Sequence, residues 1–323
     1  MDTKLQFPKY IEIQTQSLCN ANCAICPYEN ISKTRGTNGI ARMPEELIKR
    51  IIDELELHKE EVERIIPYMN NEPFLDNRMM DILRYIKEKG FFVELSTNAS
   101  ALSENRSEQI IKDRLIDDFR ISFFSGYEYL YRKIMPGLNY QKTLHNIQYF
   151  LQMNKENGNP VPVQIIQVMH EKMDLKAEQR KMKELFPEVN IHYFGYLDRA
   201  GNMKCKNDLA IKDFSGASLR GCSLARLEER FTITAHGEVI ICSQDWLNKE
   251  VIGNIAKNRI KDIFLGKQRE RLLRQLYGER DSDDLFLCKR CKLANVQTDG
   301  SEVISQNFSG DKFMSPSDEK ILL

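Results

Sequence analysis

Three cysteines near the start of the chain constrain this protein more than any other feature of its sequence. Cys19, Cys23 and Cys26 follow residues 10–16, whose alternating apolar and polar side chains predict a β-strand. Three thiolates placed so closely can hold three irons of a four-iron, four-sulfur cluster and leave the fourth iron without a protein ligand. A structural zinc site requires four ligands, and the loop contains no His and no fourth Cys, so closed zinc coordination is disfavoured.

Length and charge exclude several classes of protein. The chain has 323 residues, enough for one large α/β unit and a smaller domain. Lys plus Arg and Asp plus Glu both number 47 and are interspersed, which disfavours a nucleic-acid partner. No segment has the apolar length of a signal peptide or a membrane span, so we predict a cytoplasmic protein without a membrane partner. Its eight cysteines then favour metal or catalytic use over disulfides.

Strand-like and helix-like segments alternate over about the first two hundred residues, which predicts βα units and a parallel sheet. The predicted strands are residues 11–16, 64–69, 91–96, 118–123, 161–169 and 189–195. The predicted helices are residues 44–57, 78–89, 104–114, 140–154 and 176–185. Six strands in this order fit a partial (βα)6 TIM barrel.

The character of the chain changes after Gly201. A polar stretch leads to residues 231–242, which predict a β-hairpin turning at Gly237. Residues 259–276 predict a helix, and Cys288 and Cys291 follow it. We therefore predict a barrel domain over residues 1–200, a small cysteine-rich domain over 201–300 and a polar tail over 301–323.

The cysteine loop resembles the signature of the radical S-adenosylmethionine (radical SAM) family. The match is Cys-x3-Cys-x2-Cys after a first strand, followed by Pro27 and Tyr28. The resemblance implies a 4Fe–4S cluster whose open iron is chelated by S-adenosylmethionine. It further implies an electron donor such as flavodoxin or ferredoxin, and a 5′-deoxyadenosyl radical that abstracts hydrogen from a substrate.

The resemblance extends to residues that would hold S-adenosylmethionine. Residues 69–73 resemble the family's Gly-Gly-Glu-Pro motif with Asn in place of both glycines, a change that a turn with positive φ tolerates. Glu72 is then implied to bind the amino group of the cofactor. Ser96, Thr97 and Asn98 resemble a Thr-Asn-Gly segment that approaches the cofactor, although these residue types also favour ordinary turns.

Further cofactor contacts follow from the same resemblance. Ser122 and Gln167 interrupt apolar strands at positions from which the family touches the ribose or the methionine carboxylate. A hydrogen-bonded polar residue of the core is the alternative for both. Tyr28 matches an aromatic residue beside the adenine, and plain packing is its alternative.

A second cysteine set decides the subgroup. Cys222, Cys242, Cys288 and Cys291 could fully ligate a second 4Fe–4S cluster, and spacing alone leaves tetrahedral zinc equally open. The segment from residue 222 to residue 298 resembles the twitch domain of the SPASM/twitch subgroup, which implies an auxiliary cluster. The resemblance thus implies a barrel followed by a twitch domain, a β-hairpin plus a helix.

Within this subgroup the resemblance is strongest to dehydrogenases of 2-deoxy-scyllo-inosamine in natural-product biosynthesis. It implies a small-molecule polyol, aminocyclitol or aminosugar substrate and an auxiliary cluster that accepts an electron. Arg199 matches a substrate-contacting arginine, with a structural ion pair as the alternative. Cys205 could donate a hydrogen atom to a substrate radical, as in epimerases, or be a small buried side chain. The segment 126–159 is longer than expected and should line the substrate side.

Three classes of reaction remain open from the sequence. Dehydrogenation is favoured, and epimerisation or dehydration of a similar substrate depends on Cys205. Modification of a peptide or protein is the third class. Such enzymes often carry a leader-binding domain before the barrel, and here only ten residues precede the predicted first strand.

Overall fold

Helices and strands alternate along the chain in the computed structural model, which describes residues 6–34, 40–170, 173–195, 199–203, 218–297 and Val303. The strands are β1 (Tyr10–Ile13), β2 (Arg64–Ile66), β3 (Glu94–Thr97), β4 (Asp118–Ser122), β5 (Val163–Val168), β6 (Asn190–Phe194), β7 (Ser218–Cys222), β8 (Arg230–Ile233), β9 (Glu238–Ile240), β10 (Val251–Asn254) and β11 (Ala294–Gln297). The helices are α1 (Tyr28–Thr34), α2 (Glu45–Glu56), α3 (Met79–Glu88), α4 (Glu104–Asp113), α5 (Glu128–Ile134), α6 (Tyr140–Glu156), α7 (Leu175–Leu185), α8 (Arg226–Glu229), α9 (Ile260–Phe264) and α10 (Lys267–Leu276). Short 3-10 helices cover Pro73–Leu75 and Leu287–Arg290.

The contacts divide the described residues into two units. One contains the described residues up to 17, those from 30 to 70 and those from 199 onward. The other contains residues 18–29 and the described residues from 71 to 195. The boundaries predicted at residues 200 and 300 remain predictions.

The unit built around residues 71–195 has a parallel sheet in the order β3-β4-β5-β6. Its outer face is apolar, and Phe119 of β4 packs edge-on against Phe74 and Phe150. Side-chain oxygens cap the N-termini of α4, α6 and α7; at the start of α6, for example, Asn139 Oδ1 accepts a hydrogen bond from Lys142 N at 2.9 Å. Parallel strands joined by amphipathic helices confirm the predicted α/β class.

The other unit joins the start of the chain to its C-terminal part. Its larger sheet has the order β10-β9-β8-β1-β2, in which β1 runs parallel to both β2 and β8. The side-chain amide of Gln14, just after β1, donates to Met69 O at 2.8 Å and accepts from Ala235 N at 3.0 Å. The strands β11 and β7 form a separate antiparallel pair. β1 therefore has a hydrogen-bonded neighbour on each side.

The predicted hairpin is confirmed, whereas one predicted helix is wrong. β8 and β9 pair antiparallel, and Gly237 takes a φ of 77° in the turn between them. The single helix predicted over residues 259–276 is two helices, α9 and α10, with an extended Gly266 between them. A Cβ at Gly266 would lie 2.9 Å from Asp262 O, so the chain bends where a side chain would not fit.

In the described part of the chain, no helix has both the length and the apolar character that a membrane span requires.

Candidate cluster and cofactor sites

The loop that carries Cys19, Cys23 and Cys26 is fixed by backbone hydrogen bonds to the end of α5. Asn22 N donates to Pro136 O and Ala24 N donates to Ile134 O, both at 2.8 Å. Sequence patterns did not predict α5, although its buried side chains recur at helical spacing. Part of the segment 126–159, expected on the substrate side, therefore supports the cysteine loop.

Gly137 and Asn20 bring this support close to the loop. Gly137 has a φ of 94°, and a Cβ there would lie 2.8 Å from Asn20 O. The Asn20 side chain donates to Ser100 Oγ at 2.8 Å and accepts from Asn98 Nδ2 at 3.0 Å. Asn20 thus ties the cysteine loop to the turn that follows β3, a role that its local sequence did not indicate.

The three cysteines form a donor set that suits an iron–sulfur cluster. All are free thiols. Burial raises the pKa of Cys19 to about 12 and raises the pKa of Cys23 as well. Tyr28 Oη accepts a hydrogen bond from Cys19 N at 2.8 Å, which places this predicted adenine neighbour beside the cysteine loop.

The buried Glu72 carboxylate accepts three hydrogen bonds, two from residues at the end of β3 and one from the 3-10 helix Pro73–Leu75. Thr97 Oγ1 donates to Oε1 at 2.6 Å, Phe74 N donates to Oε1 at 3.2 Å, and Asn98 N donates to Oε2 at 2.7 Å. Burial raises the pKa of Glu72 to about 7 even though these donors oppose the shift. The structure thus brings Glu72, Thr97 and Asn98 together. The negative charge of Glu72 also contributes to the raised pKa of Cys19.

The first asparagine of the Gly-Gly-Glu-Pro-like motif has the positive φ that this turn requires. Asn70 has a φ of 55°, the positive value for which the family uses Gly. Its side-chain amide also donates to Ser243 O at 3.2 Å, a bond that Gly cannot make. The substitution therefore preserves the turn and adds a contact next to Cys242.

Ser96 and Ser122 lie on one face of the β3–β6 sheet, among charged residues that sequence reasoning missed. In the register of the sheet Ser96 aligns with Arg120, and Arg120 aligns with Gln164. Arg120 contacts Glu94 at 3.1 Å and Asp118 at 2.7 Å, and Gln164 Nε2 donates to Asp118 Oδ1 at 3.0 Å. The alternation Asp-Phe-Arg-Ile-Ser over β4 was the signal that could have revealed this polar face.

Gln167 lies on the opposite face of β5 from the aligned pair Ser122 and Ile166. Its amide nitrogen donates to Glu178 Oε2 at 2.9 Å and to Phe124 O at 3.2 Å. Glu178 also accepts from Ser125 Oγ and from Gly126 N. This is the hydrogen-bonded core position that was the alternative for Gln167, and its cofactor contact stays a prediction.

The second cysteine set lines one cavity in the unit that contains β1. Cys222 ends β7, Cys242 follows β9, Cys288 lies in the short 3-10 helix and Cys291 follows it. The register of β11 against β7 pairs Ala294 with Cys222, and Cys291 N donates to Cys288 O at 3.3 Å. Cysteines that are far apart in the sequence thereby line the same cavity.

The chemistry of this cavity fits an iron–sulfur cluster. Its remaining lining is Arg226, Gln244 and the apolar side chains Leu227, Ile241, Leu276, Leu287, Leu293 and Ala294. All four cysteines are free thiols, and burial raises the pKa of Cys242 and of Cys288. Among the described residues, no three His, Cys, Asp or Glu side chains are grouped to hold a single metal ion. The cluster assignment rests on the four sulfurs that line this cavity.

Of the two predicted catalytic residues, Arg199 is among the residues that the structure describes and Cys205 is not. Arg199 is partly buried with a φ of 54°, and its carbonyl oxygen accepts from Asn202 Nδ2 at 2.7 Å. Cys205 and Asp198, the proposed ion-pair partner of Arg199, lie outside the described residues. Both functional roles stay predictions.

Comparisons with known families cover most of the chain. Residues 13–174 match the Radical SAM superfamily, and residues 222–292 match an iron–sulfur cluster-binding domain, SPASM. A tungsten-containing aldehyde ferredoxin oxidoreductase cofactor-modifying protein of Pyrococcus furiosus is 28% identical over 102 residues, which are 32% of this chain. The match spans only 27% of that relative.

Solved structures share the fold at low sequence identity. BtrN in complex with AdoMet and 2-DOIA superposes with a TM-score of 0.53 and 19% identity, covering 91% of this chain and 94% of BtrN. Streptococcus suis SuiB bound to the precursor peptide SuiA gives 0.64 and 17%, covering 90% of this chain and 70% of SuiB. The enzyme anSMEcpe with bound AdoMet gives 0.62 and 16%, covering 92% of both chains.

Proposed function

Because the chain belongs to the radical SAM superfamily, we propose that it is an oxidoreductase acting on a small polyol, aminocyclitol or aminosugar. The family match brings a 4Fe–4S cluster and S-adenosylmethionine, and the C-terminal match brings further iron–sulfur binding. The observation that carries the proposal is the cavity lined by Cys222, Cys242, Cys288 and Cys291. Four thiolates leave a cluster no iron for substrate, so its suitable role is to accept an electron.

The proposed reaction is the oxidation of a carbinol to a ketone. When bound, the reduced cluster and S-adenosylmethionine supply a 5′-deoxyadenosyl radical that removes a hydrogen atom from carbon. Cys222, Cys242, Cys288 and Cys291 would hold a cluster able to accept one electron from the substrate, and one proton would pass to solvent. The product is two hydrogens lighter than the substrate, and the electrons and atoms balance.

Residues around the first cysteine loop are proposed to bind and orient the cofactor. Cys19, Cys23 and Cys26 hold three irons, and Glu72 accepts the amino group through a charge-assisted hydrogen bond. The donors from Thr97 and Asn98 hold the Glu72 carboxylate in position for this contact. Tyr28 is proposed beside the adenine and Ser96 near the cofactor. Ser122 and Gln167 are proposed to touch the ribose or the methionine carboxylate.

The substrate class is supported by the likeness to BtrN, whose length this chain nearly matches, and by Arg199. A guanidinium offers a fixed fork of donors to hydroxyl groups and stays protonated at neutral pH, so Arg199 is assigned binding and not proton removal. The polar face around Arg120 adds donors and acceptors within the β3–β6 sheet. We also propose a low-potential electron donor such as flavodoxin or ferredoxin, and therefore a cytoplasmic location.

Turnover in deuterated water tests this function. Aminocyclitols, including 2-deoxy-scyllo-inosamine, are incubated with the reconstituted enzyme and with Cys205→Ala, and product masses are compared. Dehydrogenation gives a ketone with no solvent deuterium on the oxidised carbon, and Cys205→Ala remains active. A product of unchanged redox state with one deuterium, lost in Cys205→Ala, would instead establish epimerisation.

A peptide substrate is the second candidate. Its support is that SuiB, bound to a precursor peptide, superposes with a higher TM-score than BtrN. The two candidates differ in the class of molecule that receives the radical. Deuterium transfer from a peptide labelled at its α- and β-carbons into 5′-deoxyadenosine, without transfer from labelled aminocyclitols, would replace the first proposal by the second.

A further inference from the structure

We propose that Arg226 makes the cluster bound by Cys222, Cys242, Cys288 and Cys291 easier to reduce. The inference rests on the proposed function to the extent that these four cysteines hold an iron–sulfur cluster. It goes beyond that function by assigning the control of electron acceptance to one side chain. Arg226 would act on the cluster through its positive charge and would not ligate an iron.

Arg226 lines the same cavity as the four sulfurs. It is the first residue of α8, four residues after Cys222, and its Nη1 donates to Ser243 Oγ at 2.7 Å, next to Cys242. Its Nε is buried and has no hydrogen-bond partner in the part of the chain that the structure describes. An N–H donor therefore remains available for the group that fills the cavity.

The guanidinium is the only charged side chain, apart from the cysteines, among the described residues that line this cavity. The rest of the lining is one amide and aliphatic side chains, so little screens its field. A guanidinium keeps its proton at neutral pH in proteins. Arg226 thus stays positively charged.

The nearest acid does not cancel this charge. Glu12 Oε1 lies 3.8 Å from Arg226 Nη1 but only 3.2 Å from Arg230 Nη1, and Thr232 Oγ1 donates to Glu12 Oε2 at 2.8 Å. Glu12 is therefore bound more closely by Arg230 and Thr232. The charge of Glu228 contributes to the raised pKa of Cys288, and its carboxylate accepts a hydrogen bond from Tyr277 Oη at 2.9 Å.

A fixed positive charge that lines the same cavity favours the reduced cluster. Reduction adds one negative charge to a group that already carries four thiolates, and nearby charge and hydrogen bonds to sulfur set the potential. In the proposed reaction this cluster must take an electron from the substrate. Arg226 would make that transfer more favourable without touching the substrate.

The experiment is a redox titration followed by electron paramagnetic resonance, in full-length protein with Cys19, Cys23 and Cys26 replaced by Ala so that one cluster gives the signal. Arg226→Gln should make one-electron reduction at least tenfold less favourable, which corresponds to about 59 mV. Arg226→Lys keeps the charge and should stay within about threefold of the parent. Arg274→Gln is the matched control, because this arginine is exposed and pairs with Glu270 on the same unit.

The possible results separate the inference from the proposed function. An unchanged potential in Arg226→Gln, or an equal loss in Arg226→Lys, overturns the role of charge. Parent protein that binds no iron at this site overturns the proposed function instead. If Arg226→Gln does not assemble a cluster, Ser243→Ala decides: loss of the hydroxyl that accepts from Arg226 Nη1 frees the guanidinium from its place next to Cys242 and should make reduction less favourable, and an unchanged or higher potential refutes the proposal.

Discussion

Replacing Glu72 by Gln should abolish a pH-dependent part of S-adenosylmethionine binding. The carboxylate is the form that accepts the amino group, and burial raises its pKa to about 7 in the protein without cofactor. Because this pKa is raised, the binding form increases as pH rises, from about 3% at pH 5.5 to about 97% at pH 8.5. Affinity should therefore gain about thirtyfold over this range from Glu72 alone.

The assay is equilibrium binding of S-adenosylmethionine to anaerobically reconstituted protein at several pH values. The cofactor's own amino group titrates in both proteins, so the ratio of the two dissociation constants isolates Glu72. At pH 8.5 the variant should bind roughly 10- to 150-fold more weakly, since a hydrogen bond to a charged group contributes about 1.5–3 kcal/mol. The ratio should shrink about thirtyfold by pH 5.5.

Glu178→Gln provides the control for this experiment. Glu178 is also buried and also accepts three hydrogen bonds, but it is not a predicted cofactor ligand. Its variant should show the pH dependence of the wild type. A ratio for Glu72→Gln that does not change with pH would refute the assignment of the carboxylate as the group that binds the amino nitrogen.

Three further outcomes are expected. Anaerobic reconstitution should give about eight irons per chain, and replacing Cys19, Cys23 and Cys26 by Ala should leave about half of them; zinc without iron in that variant would contradict the second cluster. Gly137→Ala should reduce iron in the first cluster while the second assembles, because the new Cβ meets the cysteine loop at 2.8 Å; unchanged iron analysis would contradict this. Glu178→Gln should lower the free energy of unfolding by about 2–4 kcal/mol, measured by denaturant titration, since its new amide faces backbone and side-chain donors.

The elements that could be predicted from sequence are those whose signal is local. The strands β1 to β6 and the helices α2, α3, α4, α6 and α7 were predicted within a few residues of their bounds, whereas the short helices α1 and α5 were not predicted. Glu72, Thr97 and Asn98 lie together in the structure, because the Glu72 carboxylate accepts hydrogen bonds from Thr97 Oγ1 and Asn98 N at the end of β3. The resemblance predicted these residues as cofactor contacts, and that role stays a prediction.

The features that sequence missed depend on contacts between distant segments. Nothing near Arg226 indicates that it shares a cavity with Cys288, because β7, β9 and the 3-10 helix must first assemble. Asn20 likewise gains its role only when the turn after β3 approaches the cysteine loop. The hydrogen bonds of Gln167 to Phe124 and Glu178 likewise depend on segments distant in sequence, and its cofactor contact stays a prediction.

The pairing of β1 with β8 affects the order in which the chain can fold during synthesis. β1 leaves the ribosome before β8, and Glu12 bonds to Thr232, 220 residues later. At about 5–20 residues per second, roughly 10–45 seconds pass before that neighbour emerges. Until then one hydrogen-bonding edge of β1 is open, and open edges pair with other chains.

Residues 71–195, whose sheet needs only strands from within this segment, can fold during that interval. A product released before residue 230 would keep the open edge permanently, because β8 supplies every partner on that side of β1. A chain that ends before β8 therefore has β1 paired with β2 alone.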